Sequence, residues 1–530
     1  MTLQHLLTRG LAALVTALLT AAAAAASPLI SAEQLASRLA GSDAPLILDT
    51  SPQPMHAAGH IEGAVAVDVF SYASGRLTPA QMTQRFQSWG LSPGRQVVIT
   101  DQGASYMATH LYYELHRQGF PMADVFVLDG GMARWKAIGG ALTQTPTPPP
   151  ATGSFVPTLK HDLEVRSGLA EVVAASGDPA RHAVVDALEP SYYYGERAFF
   201  GAGGHLPNAR LWPSADFFNA DKTFKSSAEI ARMRDHLGIR PEQEVHTYCG
   251  GGVAASVPFF ALKFLLPDQP RVKLFAGSQQ EWLRDDRGLP MWTYASPALL
   301  RDMRWLSGWN TAMTRAYGVA RISVIDVRPA EAFAQSHLPF AQNLPAALFR
   351  QHLGEPARLA EALAAAGVKT ADEAVIVSAG GVDPGAALAF MLLERQGQQR
   401  VSVLMDSVED WAFAGMALEK TSASAKAVPR AAPAQTQAKA GGSATVYLSV
   451  GAKPSVRNAG DGAVTLHLPY TELLDAQRRP KPAKALWPLL DKAGVPRYAP
   501  IVVLADDPGE AALGYFVLKL MGYADVRPQI

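Results

Sequence analysis

The segment Val245–Ala255 reads VHTYCGGGVAA, which joins a short apolar run to a glycine-rich turn and then to a second apolar stretch. The β-branched and aromatic residues before Cys249 favour a buried strand, and residues 254–266 are typical of a helix that Pro258 interrupts early. A strand, a turn and a helix in this order build parallel α/β sheets. The segment therefore predicts that Cys249 lies at the carboxyl end of a strand, where ligands bind in such sheets.

The same succession of landmarks recurs along the chain, so internal repetition is the main organisational signal. A β-branched run ends in an acid at Asp49, Asp186 and Asp326, and the fourth copy has Ser449 there. A turn containing histidine follows in the first three copies, and a central apolar strand, a helical stretch and another strand come next. Strands alternating with helices predict, in each copy, a mainly parallel central sheet with helices on both faces.

These copies divide the chain into a leader, four α/β units and a linker. We expect the leader at 1–26, the units at 28–145, 154–295, 299–420 and 444–530, and the linker at 421–443. Prolines between residues 143 and 153 indicate a stiff spacer between the first two units. The Ala, Lys, Pro, Gln and Gly content of 421–443 is typical of a flexible tether.

The leader predicts export. Arg9 gives a weakly basic start, the run Leu11–Ala26 is apolar or small apart from Thr16 and Thr20, and Ala24–Ala26 fits a small-residue cleavage site. We therefore expect a signal peptide and a periplasmic or secreted protein that has no membrane partner after cleavage. The alternative is an uncleaved membrane anchor, although the run is short for a span of about 20 residues.

The composition argues against several classes of partner. Lys plus Arg and Asp plus Glu both number 47, and a nucleic-acid partner ordinarily demands a basic face. No phosphate-binding Gly-Lys-Ser/Thr loop occurs, and no His, Cys or Asp cluster has metal-ligand spacing, so we expect no cofactor and no metal. His246, in the strand before Cys249, is interpreted as a core residue.

Cys249 is the only cysteine in the chain, so internal disulfides are excluded. A lone cysteine is often a small buried hydrophobe, but a packing cysteine has no need of the glycines that follow it at 250–252. The amides of Gly250 to Val253 are placed to donate to a sulfur anion, and glycine allows their close approach. The loop therefore predicts a stabilised, reactive thiolate.

Together these features resemble the rhodanese (sulfurtransferase) superfamily over nearly all of the chain after the leader. The resemblance rests on the strand-terminal acids, the Gly-His-Leu-Pro turn at 204–207, the Leu-Asp-Gly-Gly…Trp closure at 128–135 and the cysteine loop. It implies tandem rhodanese-like domains, of which 154–295 is catalytic and the other three are degenerate. The cysteine position of those three holds residues that cannot carry a persulfide: Asp101, then Ser378 or Ala379, then Ala505 or Asp506.

The resemblance implies an enzyme, a sulfurtransferase of the thiosulfate or 3-mercaptopyruvate type. Cys249 would take a sulfane sulfur from a small donor as a persulfide and pass it to a thiophilic acceptor such as cyanide, a thiol or a protein thiol. Thiosulfate enzymes commonly have basic residues directly after the cysteine, whereas this chain has Gly250 and Gly251 there. The loop is therefore more similar to that of mercaptopyruvate sulfurtransferases. The alternative is a non-turnover sulfur carrier, or a partner-binding scaffold built of rhodanese-like units.

Related phosphatases have a longer cysteine loop that ends in an arginine. No arginine follows Cys249 before Arg271, so a phosphatase would lack its main charge-stabilising group.

We expect the donor to be bound by one cation and by the loop. The predicted substrate-binding residues are Arg197, Gly250, Gly251, Gly252, Val253 and Ala254. The alternative for Arg197 is a solvated surface arginine, and Arg210 is a further candidate. Asp186 and His205 suggest an acid/base pair, but equivalent pairs recur in two units without cysteine, which favours a structural or accessory role.

Overall fold

The computed structural model describes residues 27–42, 44–73, 77–421, 425–430, 445–454 and 464–529. The predicted signal peptide at 1–26 and most of the predicted linker at 421–443 lie outside the described residues, so both stay predictions. Among the described residues, no helix has both the length and the apolar character needed to cross a membrane.

The chain divides into two compact units. The first contains the described residues up to Glu189, together with Ala209–Asp235 and Ile239–Leu289. The second contains Pro190–Asn208, His236–Gly238 and the described residues from Pro290 onward.

The first sheet contains strands β1 (Leu29–Ile30), β2 (Leu46–Asp49), β3 (Val65–Ala66), β4 (Val97–Thr100) and β5 (Val125–Leu128). Its order is β1-β5-β4-β2-β3, and every pairing is parallel. The neighbouring helices are Ala32–Leu39, Gln53–Ala58, Phe70–Ala73, Pro79–Ser88, Met107–Arg117, the 3-10 turn Met122–Asp124, and Gly131–Ala137.

The second sheet contains β6 (His182–Asp186), β7 (Arg210–Leu211), β8 (Glu244–Tyr248) and β9 (Val272–Leu274). Its order is β7-β6-β8-β9, again parallel, and a parallel bridge from Arg166 to Leu274 extends its edge. The helices in this part of the chain are Asp162–Val165, Leu169–Gly177, Pro190–Tyr193, the 3-10 turn Ser214–Phe217, Ser227–His236, Ser256–Phe260, the π-helical turn Ala261–Leu265, and Ser278–Leu283.

The third sheet contains β10 (Leu300–Arg301), β11 (Ile322–Asp326), β12 (Gln342–Asn343), β13 (Glu373–Val377) and β14 (Arg400–Leu404). Its order is β10-β14-β13-β11-β12, and all its pairs are parallel. Its helices are the 3-10 turn Pro297–Leu299, Met303–Trp309, Ala312–Ala316, Ala330–Gln335, Ala346–Gln351, Pro356–Ala365, Pro384–Arg395 and Val408–Phe413.

The fourth sheet contains β15 (Val446–Ser449), β16 (Val464–His467), β17 (Ile501–Leu504) and β18 (Val526–Pro528). Its order is β16-β15-β17-β18, also parallel. Its helical segments are the 3-10 turn Tyr470–Leu473, Ala483–Lys492 and Pro508–Leu520.

The four sheets share one core strand order. In each of them the central strand lies between the strand that ends in the acid (Ser449 in the fourth sheet) and the strand that follows the central one in sequence. The central strands are buried on both faces, as their continuous apolar runs predict; Val97, Val98 and Ile99 are examples. The closing tryptophans of the first and third sheets make the same hydrogen bond, from Trp135 Nε1 to Ala141 O and from Trp411 Nε1 to Ala417 O. The predicted α/β class with parallel sheets is confirmed.

Candidate functional site

Cys249 directly follows β8, at the carboxyl end of the central strand of the second sheet. Its side chain is buried, with the residue only 3% exposed. The register pairs Asp186 with Tyr248, so the acid that ends β6 lies beside the residue that precedes the thiol. The helix after the loop begins at Ser256, two residues later than predicted, and Pro258 lies in its first turn. Proline is tolerated in a first turn because the amides there have no partner within the helix.

Burial and the loop amides shift the pKa of the Cys249 thiol in opposite directions. Burial is the larger effect and raises the pKa of Cys249 above its usual value, and the nearby Asp186 carboxylate raises this pKa further. Hydrogen bonds from the amides of Ala255, Gly252 and Gly251 lower it, and the Gly252 nitrogen is 3.1 Å from Sγ. The predicted stabilisation by loop amides is present, but burial outweighs it and favours the protonated thiol, so the reactivity of Cys249 stays a prediction. The donors are also shifted along the loop relative to the predicted Gly250–Val253 set.

The loop glycines differ in what they require. Gly252 has φ of +94°, and a Cβ built there would lie 2.4 Å from the Ala276 carbonyl oxygen, so no other residue fits without strain. Gly251 is exposed, and a Cβ there would meet nothing within 4 Å. Gly250 is buried, whereas Val253 and Ala254 are half-buried.

The segment after β9 fixes the loop from the other side. The Ser278 hydroxyl accepts a hydrogen bond from the Cys249 amide (3.1 Å) and donates to the Phe275 carbonyl (2.8 Å). The amides of Gln279 and Gln280 donate to the carbonyls of Cys249 and Gly250, each at 3.1 Å. Ser278 is fully buried. Sequence reasoning did not identify Ser278 as a residue that holds the cysteine backbone.

Asp186 is fully buried and caps the end of β6. Its Oδ1 accepts the Leu188 amide (2.9 Å), and its Oδ2 accepts the Tyr248 hydroxyl (2.7 Å). Burial raises the pKa of Asp186 to about 7, although both hydrogen bonds act in the opposite direction.

The acids of the first and third sheets make the same local turn. The amide two residues on donates to the carboxylate of Asp49 (from Ser51, 3.0 Å) and of Asp326 (from Arg328, 3.0 Å). The second partner of the carboxylate differs, being His56 for Asp49 and the Arg328 guanidinium for Asp326. A turn kept where no thiol exists has the character of a structural feature.

The three turn histidines make the same kinds of contact, each with residues of its own compact unit. His60, His205 and His337 form antiparallel backbone bridges to Thr143, Trp292 and Glu419. In each ring Nδ1 lies 2.8–3.0 Å from a main-chain carbonyl oxygen, and the ring stacks on another aromatic ring with centroids 3.6–4.0 Å apart. Burial lowers the pKa of His205 to about 3, so its imidazole is neutral.

The two candidate cations belong to different compact units. Arg197 belongs to the second compact unit, where it is exposed and its guanidinium carbon lies 4.6 Å from the centroid of the Tyr192 ring. His205 belongs to that unit too, whereas Cys249 and Asp186 belong to the first. Arg210 lies in β7 of the first unit. The substrate role of Arg197 stays a prediction.

The parallel registers identify the residues equivalent to Cys249. Thr100, Val377 and Leu504 occupy the place of Tyr248, so the next residues are Asp101, Ser378 and Ala505. The Asp101 carboxylate accepts its own loop amides, from Gly103 (2.8 Å) and Ala108 (3.1 Å). The Ser378 hydroxyl donates to the Gly381 carbonyl (3.0 Å). In these two loops a short polar side chain takes the position that sulfur holds in the second sheet.

Within the described residues, two clusters of potential metal ligands form that sequence spacing did not reveal. One comprises His116, His161 and Glu164, and the other comprises His182, Glu244 and His246. His246 is fully buried, as its interpretation as a core residue requires, but its Nε2 faces two other potential ligand atoms.

The parallel sheets and the buried cysteine loop define an α/β protein with one candidate thiol centre. The family model of the rhodanese-like domain matches residues 31–138 and 310–414. A probable 3-mercaptopyruvate sulfurtransferase of Pseudomonas aeruginosa is 33% identical over 280 residues, covering 49% of this chain and 96% of that protein. This chain therefore belongs to the rhodanese family of sulfurtransferases, and the predicted family is confirmed.

Two further proteins are similar to this chain at lower sequence identity. The sulfur carrier protein TtuD of Thermus thermophilus is 28% identical over 250 residues, covering 42% of this chain and 82% of that protein. The solved structure of the 3-mercaptopyruvate sulfotransferase SseA from Escherichia coli is 22% identical, covers 48% of this chain and 98% of its own, and superposes with a TM-score of 0.43.

Replacing Asp186 by Asn should change how stability depends on pH. The folded protein keeps the Asp186 proton up to about pH 7, whereas an unfolded chain releases it near the usual pKa of 3.8. Wild-type stability should therefore fall, relative to Asp186→Asn, as the pH rises through this interval. Asparagine keeps an Oδ1 that can accept the Leu188 amide, and its NH2 group can donate to the Tyr248 hydroxyl oxygen instead of accepting from it. Thermal unfolding midpoints of both proteins across this range check the prediction, and a constant difference between them would contradict it.

Proposed function

We propose that this protein is an exported sulfurtransferase that carries a sulfane sulfur as a persulfide on Cys249. The proposed donor is thiosulfate or 3-mercaptopyruvate, and the proposed acceptor is a thiophile such as cyanide, a thiol or a protein thiol. The observation that carries the proposal is the sulfur of Cys249, buried at a strand end and facing the amides of Gly251, Gly252 and Ala255.

The first step loads the cysteine. After losing its proton, the cysteine sulfur attacks the outer sulfur of thiosulfate, the S–S bond breaks, and sulfite leaves with the bonding electron pair. With 3-mercaptopyruvate the C–S bond breaks instead, and the electron pair leaves on carbon as the enolate of pyruvate, which then takes up a proton. Because burial raises the pKa of Cys249, the thiol has to be deprotonated before the attack. Amide donors that are already aligned then stabilise the sulfur anion without reorganisation, the kind of contribution that is worth about 3 kcal/mol per donor.

The second step unloads it. The acceptor attacks the outer sulfur of the persulfide, the S–S bond breaks, and its electron pair returns to Cys249 as a thiolate. With cyanide the product is thiocyanate. Two hydrogen bonds support this cycle, because they hold the cysteine backbone in one place through both steps: the Cys249 amide donates to the Ser278 hydroxyl, and the Gln279 amide donates to the Cys249 carbonyl.

The alternative is a sulfur carrier that loads once and waits for a partner, and the similarity to the carrier protein from Thermus thermophilus favours keeping it. Turnover distinguishes the two. With excess donor and cyanide, an enzyme should form many thiocyanate molecules per chain, with thiosulfate and 3-mercaptopyruvate assayed separately. Formation of one thiocyanate per chain, followed by a stop, would replace the enzyme by the carrier.

Export rests on the sequence of residues 1–26. The amino-terminal residue of the mature protein tests this part of the proposal. Ser27 at the start of protein recovered outside the cytoplasm supports cleavage, whereas a membrane-bound chain that retains the leader supports an anchor.

A further inference from the structure

His182, Glu244 and His246 meet at the end of the second sheet opposite to Cys249. His182 and Glu244 are the first residues of β6 and β8 and are register partners, while Cys249 follows the last residue of β8. Glu244 and His246 are two residues apart on one strand, so their side chains lie on the same face of the sheet. All three residues belong to the first compact unit.

The three potential ligand atoms have the spacing of a metal site. His182 Nδ1 lies 3.2 Å from His246 Nε2, and Glu244 Oε1 lies 3.3 Å from the same Nε2. The remaining separation, from Glu244 Oε1 to His182 Nδ1, is 4.0 Å. Zinc bonds to nitrogen and oxygen of about 2.0–2.1 Å in a tetrahedral arrangement imply ligand separations of about 3.3–3.4 Å. Two of the separations are close to this value, and a small rotation of one partly exposed side chain brings the third to it.

Hydrogen bonding alone does not satisfy this arrangement. His246 is fully buried, and a neutral imidazole carries one proton on one of its two ring nitrogens. With that proton on Nε2, a single N–H is divided between the Glu244 oxygen and His182 Nδ1. With the proton on Nδ1, the Nε2 lone pair faces the Glu244 carboxylate, and Nδ1 has no acceptor among the described residues. A cation between the three atoms would be bound by all of them.

The surrounding charges and access permit a cation. Lys273 is the nearest positive group, with Nζ 3.9 Å from Glu244 Oε1, but Glu171 neutralises it through a 2.5 Å contact. The side chains of His182 and Glu244 are 23% and 24% exposed, so an ion can enter and solvent can complete its coordination.

We propose that His182, Glu244 and His246 bind one divalent transition-metal ion of the zinc type, with water as the fourth ligand. Neutral imidazoles and one carboxylate are the ligand set that such ions prefer. The ion would join the amino ends of β6 and β8, and it would take no part in the chemistry at Cys249.

The second cluster serves as a matched control because its geometry is poorer. The rings of His116 and His161 are stacked, with centroids 4.7 Å apart and an interplanar angle of 6°, so their lone pairs run parallel instead of converging. Lys263 also lies 2.8 Å from the carboxylate of Glu164.

The test is a Co²⁺ titration of tag-free, full-length Cys249→Ser protein, in which no thiol can bind the probe. We expect one equivalent to bind with visible absorption bands and Zn²⁺ to displace it. His182→Ala and Glu244→Gln, each in that background, should weaken binding at least about 10-fold, since even loss of a residue that only supports a ligand costs this much. His161→Gln in the same background should leave the titration unchanged.

Thermal unfolding gives an independent readout. Zn²⁺ should raise the midpoint of the Cys249→Ser protein, because an ion that binds only the folded state stabilises it, and this rise should disappear in His182→Ala. The proposal is overturned if no equivalent of Co²⁺ binds, if both His182→Ala and Glu244→Gln bind it normally, or if only His161→Gln loses it.

Discussion

Cys249→Ser should lower sulfur transfer to cyanide at least about 1,000-fold, because serine cannot form a persulfide and no other cysteine exists in the chain. The fold should survive the substitution. The serine hydroxyl is smaller than the thiol and can accept the Gly252 amide that now donates to Sγ, so it leaves no unpartnered donor in the loop.

Steady-state thiocyanate formation by the two proteins, together with their thermal unfolding midpoints, checks this prediction. If the two proteins have equal unfolding midpoints and Cys249→Ser is inactive, the loss of activity is due to the missing thiol and not to unfolding. Residual activity within about 10-fold of wild type would show that sulfur reaches the acceptor without Cys249, and this would remove the basis of the proposed mechanism.

Gly252→Ala should lose about 100-fold or more in sulfur transfer and should lower the unfolding midpoint, whereas Gly251→Ala should lose much less, because its new methyl group meets nothing within 4 Å and its amide, which also faces the sulfur, is kept. At Gly252 the backbone has φ of +94°, and the new methyl group would meet the Ala276 carbonyl oxygen at 2.4 Å. A side chain in such a backbone conformation costs about 1–3 kcal/mol, and relief of the contact moves the amide that faces the sulfur. Removal of one such donor typically lowers the rate by about 100- to 1,000-fold.

The two variants are matched controls, because each substitution adds one methyl group to the same loop. A difference between them therefore reflects the position of that methyl group. Assays of thiocyanate formation and thermal melts on both variants provide the measurement. If Gly251→Ala were as damaged as Gly252→Ala, the loop would tolerate no side chain anywhere, and the role assigned to the Gly252 amide would lose its support.

The sequence predicted the parts of the structure that depend on neighbours along the chain. The apolar run before Cys249 is a buried central strand, the acid at Asp186 ends the adjacent strand, and the repeats recur as sheets of one strand order. These features follow from local hydrophobic pattern and turn chemistry, which the residue order contains directly.

Other features depend on contacts between distant segments. Ser278 supports the Cys249 backbone from the segment after β9, and His182 reaches His246 only through the register of β6 with β8. The burial that raises the pKa of Cys249 was likewise not predicted, because the glycine amides are visible in the sequence whereas the depth of burial is not. Pro258 lies in the first turn of the helix, and the α-helix passes into a π-helical turn at Ala261, so the change falls after the proline and not at it.

The intact mass of the protein after incubation with thiosulfate or 3-mercaptopyruvate shows whether Cys249 carries sulfur covalently. We expect the mass to rise by one sulfur atom, about 32 Da, and we expect cyanide to remove this gain and Cys249→Ser to lack it. Wild-type protein that gains no mass with either donor, or a gain that persists in Cys249→Ser, would contradict the proposal that Cys249 carries sulfur.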